Sequence, residues 1–156
     1  MRIETPFGPA WATVQNGALT GLGFGDDVQN EPAEDEVVRQ VAEYFAGTRQ
    51  AFDLPLKPKG SDFQKRVWDE LVRIPFGETI SYAELAKRIG RPGASRAVGR
   101  ANATNRIALI IPCHRVIGSD GKLTGYAFGV DVKEKLLEFE NRGRGTEAAV
   151  RMASTT

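Results

Sequence analysis

The only cysteine of the chain, Cys113, is followed directly by its only histidine, His114. A thiol becomes a strong nucleophile as thiolate, which requires a nearby base or positive charge, and His114 and Arg115 can supply these. Adjacent side chains on an extended strand point to opposite sides, so the pair can act together only where the chain turns. Pro112 favours such a turn. The alternative is a small core cysteine beside a structural histidine, and these residues alone leave both interpretations open.

One cysteine and one histidine also limit the other chemistry of the chain. They exclude an internal disulfide and the usual zinc site of several Cys and His ligands, so we expect no metal site. No apolar run approaches the roughly 20 residues of a membrane-spanning helix, and the N-terminus lacks the basic and apolar stretches of a signal peptide. We therefore expect a cytoplasmic protein in a reducing compartment, with no membrane partner.

Two short helices joined by a tight glycine-containing turn are predicted before the cysteine. The first, over Tyr82–Ile89, begins with a Ser-x-x-Glu capping box. The second, over Ala94–Asn102, has small residues on its surface, with Arg96 and Arg100 one turn apart. Small side chains allow close approach to a neighbour, and two arginines on one side suit phosphates or base edges. A DNA-binding helix-turn-helix and two helices packed inside the protein both fit this pattern.

The apolar pattern divides the chain near residue 56. Residues 1–56 contain three short strands around the hairpin signal Asn16-Gly17 and a helix over 33–46. We therefore predict an α+β fold: a small N-terminal sheet-plus-helix subdomain, residues 1–56, followed by a mostly helical C-terminal subdomain, residues 57–156, that contains the helix-turn-helix. Further expected segments are a strand over Thr48–Leu56, a capped helix from Ser61 to Ile74, a buried strand over Ile107–Ile111, a last helix over Val132–Glu140 and a fraying tail from Asn141 to Thr156.

Charge is distributed unevenly along a chain whose formal net charge is only +1. Residues 1–56 hold three basic and nine acidic side chains, whereas residues 57–122 hold thirteen basic and six acidic ones. A basic middle segment can attract a polyanion locally, but an ordinary solvated surface can have the same composition. Charge alone therefore does not identify a DNA-binding protein.

The segment Ile110–Ile117, IIPCHRVI, resembles the active-site signature of the O6-alkylguanine-DNA alkyltransferases, also called methylated-DNA–protein-cysteine methyltransferases. The similarity includes SYAELAKRIG, ASRAVGRAN, GYAFG and VKEKLLEFE in that order, and so covers roughly residues 61–141. A five-residue motif can recur by chance, but this order of segments is much harder to obtain that way. The resemblance implies direct-reversal DNA repair, in which each molecule transfers one alkyl group from O6-alkylguanine to Cys113 without a cofactor.

The resemblance also implies how the chain binds its substrate, as a monomer on double-stranded DNA. In the family, a helix-turn-helix binds the minor groove, and the damaged guanine rotates out into a pocket. Arg96 matches the arginine that enters the base stack in place of that guanine, and Tyr82 matches the tyrosine that helps to turn the 3′ phosphate. The other residues expected at the DNA are Ala94, Ser95, Ala97 and Arg100.

The same resemblance assigns roles in the reaction. Cys113 matches the alkyl acceptor, His114 the histidine that deprotonates it through a water, and Glu140 the carboxylate that orients this histidine. Displacement at carbon needs a soft, strong nucleophile such as thiolate, and the order of nucleophile, base and orienting group is that of known triads. Asn105 matches the asparagine that braces the site, and Tyr82 can protonate the leaving guanine. The expected guanine-binding residues are Val116, through its carbonyl, and the loop residues Tyr126, Ala127 and Phe128.

Two other functions are weighed against alkyl transfer. Relatives that sense alkylguanine without removing the alkyl group lack the cysteine, and Cys113 argues against that DNA-binding alternative. A cysteine hydrolase using Cys113, His114 and Glu140 lacks a separate oxyanion-hole motif, although backbone amides can form such a hole. Phe128 is bulkier than the glycine that some members carry in the loop, and we expect it to narrow the range of alkyl groups accepted.

Overall fold

The computed structural model describes residues 2–25, 35–118, 126 and 128–154, without the side chains of residues 35 and 144–154. Its first element is a three-stranded antiparallel sheet. The strands are β1 (Arg2–Thr5), β2 (Gly8–Gln15) and β3 (Ala18–Phe24), in the order β1-β2-β3. Asn16 and Gly17 join β2 to β3 with φ angles of 51° and 78°, the left-handed pair that a tight hairpin requires. The predicted hairpin is therefore confirmed.

Helix α1 (Asp35–Ala46) packs beside this sheet and confirms the predicted helix within the described residues. Val37, Val41 and Tyr44 recur at helical spacing and are buried. The predicted strand over Thr48–Leu56 is wrong. That segment makes only one isolated parallel bridge to β3, at Leu56, because Pro55 has no N–H to continue a ladder.

Three helices follow: α2 (Asp62–Val72), α3 (Tyr82–Arg88) and α4 (Ser95–Ala103). The predicted capping box before α2 is confirmed by reciprocal bonds between Ser61 and Gln64, of 3.2 and 2.8 Å. The second box is only half formed, since the Ser81 hydroxyl accepts the Glu84 N–H at 3.0 Å while the Glu84 carboxylate pairs with Arg88. Packing among the three helices, together with the turn between α3 and α4, gives the predicted helix-turn-helix.

The apolar segment Ile107–Ile111 is buried but is not the strand that we predicted. It touches β3 through a single parallel bridge between Ile107 and Leu22, and the chain then turns through Leu109, whose φ is 68°. A left-handed φ at a non-glycine residue cannot continue a strand. The turn carries the chain from β3 to the short 3₁₀ helix Cys113–Arg115.

The chain closes with a two-residue strand and a long helix. After the 3₁₀ helix, β5 (Val116–Ile117) pairs in parallel with β4 (Ile80–Ser81), which immediately precedes α3. Helix α5 (Val130–Ser154) begins before the predicted Val132 and continues past Glu140, so the expectation of a frayed tail from Asn141 is wrong up to Ser154. Leu136 is fully buried, whereas Leu137 is half-buried.

The α+β fold is confirmed, with the three-stranded sheet and α1 preceding a helical remainder. One continuous set of buried apolar residues runs from β1 to α5. The boundary after residue 56 stays a prediction. Across the residues described, the structure contains no helix of the length and apolar character needed to span a bilayer.

Candidate active site

Cys113 lies in a turn, as its neighbour Pro112 led us to expect. The Arg115 N–H donates to the Pro112 carbonyl at 3.0 Å, which closes the 3₁₀ turn around Cys113 and His114. The cysteine is only 2% exposed. Because the backbone curls here, the two side chains are not forced to opposite faces, and the condition for their acting together is met.

Asn105 holds the Cys113 thiol and the backbone of the segment that precedes the turn. Its Nδ2 group lies 3.2 Å from Sγ of Cys113 and 2.8 Å from the Ile111 carbonyl, and its Oδ1 accepts the Ile107 N–H at 3.0 Å. Asn102, one turn earlier in α4, donates to the Cys113 carbonyl at 3.2 Å. Asn105 thus lies where a bracing residue is expected, while Asn102 was not foreseen from the sequence.

The carboxylate of Glu140, on α5, is buried, with 1% of the residue exposed, and accepts several hydrogen bonds. Its Oε2 atom accepts hydrogen bonds from Nε2 of His114 at 2.8 Å, from Nη2 of Arg115 at 2.9 Å and from the Tyr44 hydroxyl at 2.7 Å. Its Oε1 atom accepts from Nε of Arg115 at 2.8 Å and, more weakly, from the Gly77 N–H at 3.4 Å. Burial works to raise the pKa of Glu140, but His114 and Arg115 outweigh it and hold the pKa well below the usual range. The group is therefore a carboxylate at neutral pH.

This carboxylate fixes which nitrogen of His114 carries the proton. A carboxylate only accepts hydrogen bonds, so Nε2 is the protonated nitrogen and Nδ1 has the free lone pair. Nδ1 is buried and has no hydrogen-bond partner among the described residues. A buried acceptor next in sequence to a thiol is suited to receive that thiol's proton, directly or through one water.

The Cys113 thiol needs such a base. Burial raises the pKa of Cys113 to about 11, against the smaller opposing effects of the Asn105 hydrogen bond and the positive charge of Lys133. Only a small fraction of the thiol is therefore ionised at neutral pH. The proton must leave in the reaction step itself, which is the task of a general base.

Lys133 was missed by sequence analysis. It is buried on α5, and its ammonium group donates to the Val116 carbonyl at 2.7 Å. Burial lowers the pKa of Lys133, while Cys113 acts in the opposite direction. The signal was present in the sequence, because residues 133, 136 and 140 recur at helical spacing and place Lys133 on the same face as Leu136 and Glu140.

The expected guanine-binding residues are only partly within the described structure. Tyr126 is buried and its ring lies 5.6 Å, centre to centre, from the ring of Phe128. The hydroxyl of Tyr126 is buried with no hydrogen-bond partner among the described residues. The Val116 carbonyl, which already accepts from Lys133, retains a second lone pair for a ligand. Ala127 lies outside the described residues.

The expected DNA-binding residues lie on the surface of α4. Arg96 and Arg100 are exposed, and no carboxylate of the described part of the chain pairs with either of them. A Cβ atom added at Gly99 would lie 3.8 Å from the ring of Tyr82, which stands at the start of α3, so the phenol ring lies beside the middle of α4. The remaining predicted DNA contacts, Ala94, Ser95 and Ala97, are half-buried at the start of the same helix.

Sequence and structure comparisons agree with one another. A family profile described as "6-O-methylguanine DNA methyltransferase, DNA binding domain" matches residues 62–142. The methylated-DNA–protein-cysteine methyltransferases of Methanosarcina barkeri and Methanosarcina acetivorans are 51% and 58% identical to this chain, each over 148 residues that cover 88% of it and 94% and 95% of those proteins. A crystal structure of Mycobacterium tuberculosis OGT in complex with DNA superposes with a TM-score of 0.85 at 47% identity, covering 91% of this chain and 92% of that one.

Proposed function

The chain belongs to the 6-O-methylguanine DNA methyltransferase family, and on this basis we propose that it repairs alkylated DNA by transferring an alkyl group from O6-alkylguanine to Cys113. The observation that carries the proposal is the hydrogen bond between Nε2 of His114 and the Glu140 carboxylate, with Cys113 next to His114 in the same 3₁₀ turn. The carboxylate fixes the imidazole so that its free nitrogen is available as a base next to a buried thiol. An orienting group, a base and a nucleophile in this order are the groups that a covalent transfer to the thiol requires.

The transfer step balances with the thiol and the substrate alone. A bond forms between Sγ of Cys113 and the alkyl carbon while the bond from that carbon to O6 of guanine breaks. The thiol proton passes to Nδ1 of His114, and the leaving guanine takes up one proton, for which the Tyr82 phenol is the proposed donor. The thioether product has no easy reverse step, so each molecule acts once.

DNA binding is proposed to occur through α3 and α4. The exposed Arg96 and Arg100 favour contact with phosphates or with the base stack, and the small residues at the start of α4 permit close approach of its backbone. We assign Arg96 as the side chain that fills the space of an extruded guanine, with α4 in the minor groove and one protein copy at each lesion. Tyr126, Ala127, Phe128 and the Val116 carbonyl are assigned to the guanine pocket.

The proposal is tested by the intact mass of the protein after incubation with duplex DNA carrying one O6-methylguanine. We expect a stoichiometric gain of one methyl group, located on Cys113 by peptide mapping, and no gain with the undamaged duplex. Cys113→Ala should bind the damaged duplex without any gain in mass. An unchanged mass of the natural protein together with retained binding would refute alkyl transfer and favour a protein that only senses the lesion.

A further inference from the structure

The carboxylate that orients His114 is also held by Tyr44, a residue of α1 far from the active-site signature in sequence. The Tyr44 hydroxyl donates to Oε2 of Glu140 at 2.7 Å, the shortest hydrogen bond that this carboxylate makes in the described structure. Tyr44 also lies outside residues 62–142, to which the family profile is confined. We propose that Tyr44 is a positioning residue for alkyl transfer, through which α1 sets the orientation of Glu140 and the basicity of His114.

The hydrogen-bond donors are divided unequally between the two carboxylate oxygens of Glu140. Tyr44 and His114 donate to the same atom, Oε2, and therefore share its negative charge. Arg115 donates to both oxygens and fixes the plane of the carboxylate, so Tyr44 is the third donor to Oε2, beside His114 and Nη2 of Arg115. A hydrogen bond to the charged form of Glu140 stabilises that form and weakens its pull on the His114 proton.

The Tyr44 hydroxyl is held in place by the aromatic rings around it. The ring is fully buried, stacks on Phe52 with centres 5.5 Å apart, and meets the ring of Phe45 at 4.9 Å and that of Phe139 at 5.3 Å. Burial and the Glu140 carboxylate hold the pKa of Tyr44 well above its ordinary value. The phenol therefore remains a neutral donor and cannot move away from Oε2 without repacking the cluster.

A purely structural role would give Tyr44 the same contacts, because a buried phenol needs a hydrogen-bond partner. The two roles differ in what removal of the hydroxyl does to His114. Without the bond from Tyr44, Oε2 presents more negative charge to Nε2, which strengthens the hydrogen bond from His114 to Glu140. A residue that only packs has no such effect.

The other charged and titratable groups around this pair are unchanged by a substitution at Tyr44. Cys113 and Arg115 come from the 3₁₀ helix, Lys133 lies on α5 and acts on Cys113, and Tyr126 lies beside the thiol. Among them only Arg115 donates to Oε2, and its separate bonds to Oε1 and to the Ile74 carbonyl hold the guanidinium in place without Tyr44. The shift at His114 can therefore be attributed to the missing hydroxyl.

The test compares Tyr44→Phe, which keeps the ring, with Phe52→Leu, which loosens the packing of the same ring without touching Glu140. Because the chain has a single histidine, the ¹H and ¹⁵N resonances of its imidazole in untagged protein report the tautomer of His114 and the strength of its Nε2–H hydrogen bond directly. We expect Tyr44→Phe to move the Nε2–H proton resonance downfield, because the bond from Nε2 to Oε2 becomes stronger when Oε2 loses a competing donor. Phe52→Leu should leave that resonance in place.

Activity gives the second measurement, which rests on the proposed function. In single-turnover methyl transfer at saturating DNA, Tyr44→Phe should slow the rate about three- to tenfold on the acidic side of the pH profile, because a stronger bond to Glu140 favours the protonated imidazole, which cannot act as the base. Affinity for the damaged duplex should change less than about twofold, because Tyr44 lies on α1 and not on α3 or α4. 3-Fluorotyrosine placed at position 44 keeps the ring, donates more strongly, and should move the Nε2–H proton resonance of His114 upfield.

The outcomes separate the two proposals. Equal Nε2–H resonances of His114 in the natural protein and Tyr44→Phe, or equal shifts of that resonance in Tyr44→Phe and Phe52→Leu, would overturn the positioning role. Absence of methyl transfer by the natural protein would refute the proposed function instead, while the imidazole resonances would still decide the role of Tyr44. Opposite shifts for phenylalanine and fluorotyrosine, with unchanged DNA affinity, would establish it.

Discussion

Replacement of Arg115 by methionine should destabilise the protein more than replacement of any exposed arginine. The Arg115 side chain is 6% exposed and its partner Glu140 1%, and the guanidinium makes two bonds to that carboxylate and a third to the Ile74 carbonyl at 2.6 Å. Methionine keeps much of the apolar stem, so the main loss is the positive charge that compensates a buried carboxylate. Leaving one member of a buried ion pair uncompensated costs about 3–5 kcal/mol. In a chain of this length that corresponds to a fall in Tm of roughly 6–20 °C.

The matched control is Arg73→Met, at an exposed arginine whose distance to Glu70 is 3.4 Å and whose side chain is 76% exposed. A surface pair of this kind contributes about 0–1 kcal/mol. Urea unfolding, followed by the fluorescence of the buried Trp68, measures both variants under the same conditions. If Arg115→Met loses no more stability than Arg73→Met, the inference that this ion pair is buried and closely coupled is refuted.

The double variant Arg115→Met with Glu140→Gln tests the reason for the loss. Each single change leaves one charge buried beside neutral groups, whereas the double variant removes both charges. Its free energy of unfolding should therefore fall by clearly less than the sum of the two single losses, with a coupling of about 1–3 kcal/mol. Simple additivity would mean that the two side chains contribute independently.

Three further outcomes follow from the geometry. Arg96→Ala should slow transfer from duplex DNA more than it weakens binding to a single strand carrying the same lesion, and equal losses would contradict its assignment to the base stack. Gly23→Ala should lower the free energy of unfolding by about 1–3 kcal/mol, because the new Cβ atom would lie 2.5 Å from the Trp11 ring and 2.6 Å from the Phe128 ring. An unchanged free energy of unfolding in urea would contradict that packing. The pKa of Glu140 is lowered in the folded state, so its contribution to stability is present above about pH 4.5 and is lost as the pH falls towards the pKa of the folded state. Glu140→Gln should therefore flatten the pH dependence of the free energy of unfolding, measured in urea, in that acidic range.

Local signals in the sequence predicted the elements that depend on few neighbours. The Asn16-Gly17 pair specifies its own turn, and the Ser61 and Gln64 side chains complete a cap within one turn of helix. The order of helix, turn and helix before Cys113 has the same origin, since its caps and glycines act over a few residues. Such features can be predicted because the energy that selects them is local.

The errors fall where tertiary contacts override the local pattern. Ile107–Ile111 has the composition of a buried strand, yet it pairs with β3 only at the bridge between Ile107 and Leu22 before the chain turns towards the active site. Leu109 accepts a left-handed backbone there because its side chain is 1% exposed and its burial offsets the strain. Thr48–Leu56 fails for the related reason that it meets the sheet at only one residue, Leu56.

The active site could be predicted only as far as its signature reaches. Cys113, His114 and Glu140 were found because two are adjacent and the third lies in a recognisable helix. Lys133 lies on that same helix and was overlooked, whereas the Tyr44 hydroxyl reaches the site from α1. A thiol whose pKa is raised to about 11 cannot act through its own ionisation, so the reaction depends on how well the surrounding groups prepare one imidazole nitrogen. The groups that orient this imidazole lie on α1, the 3₁₀ helix and α5. A residue therefore takes part in the reaction because of its position in the fold, whether or not it lies in a sequence motif.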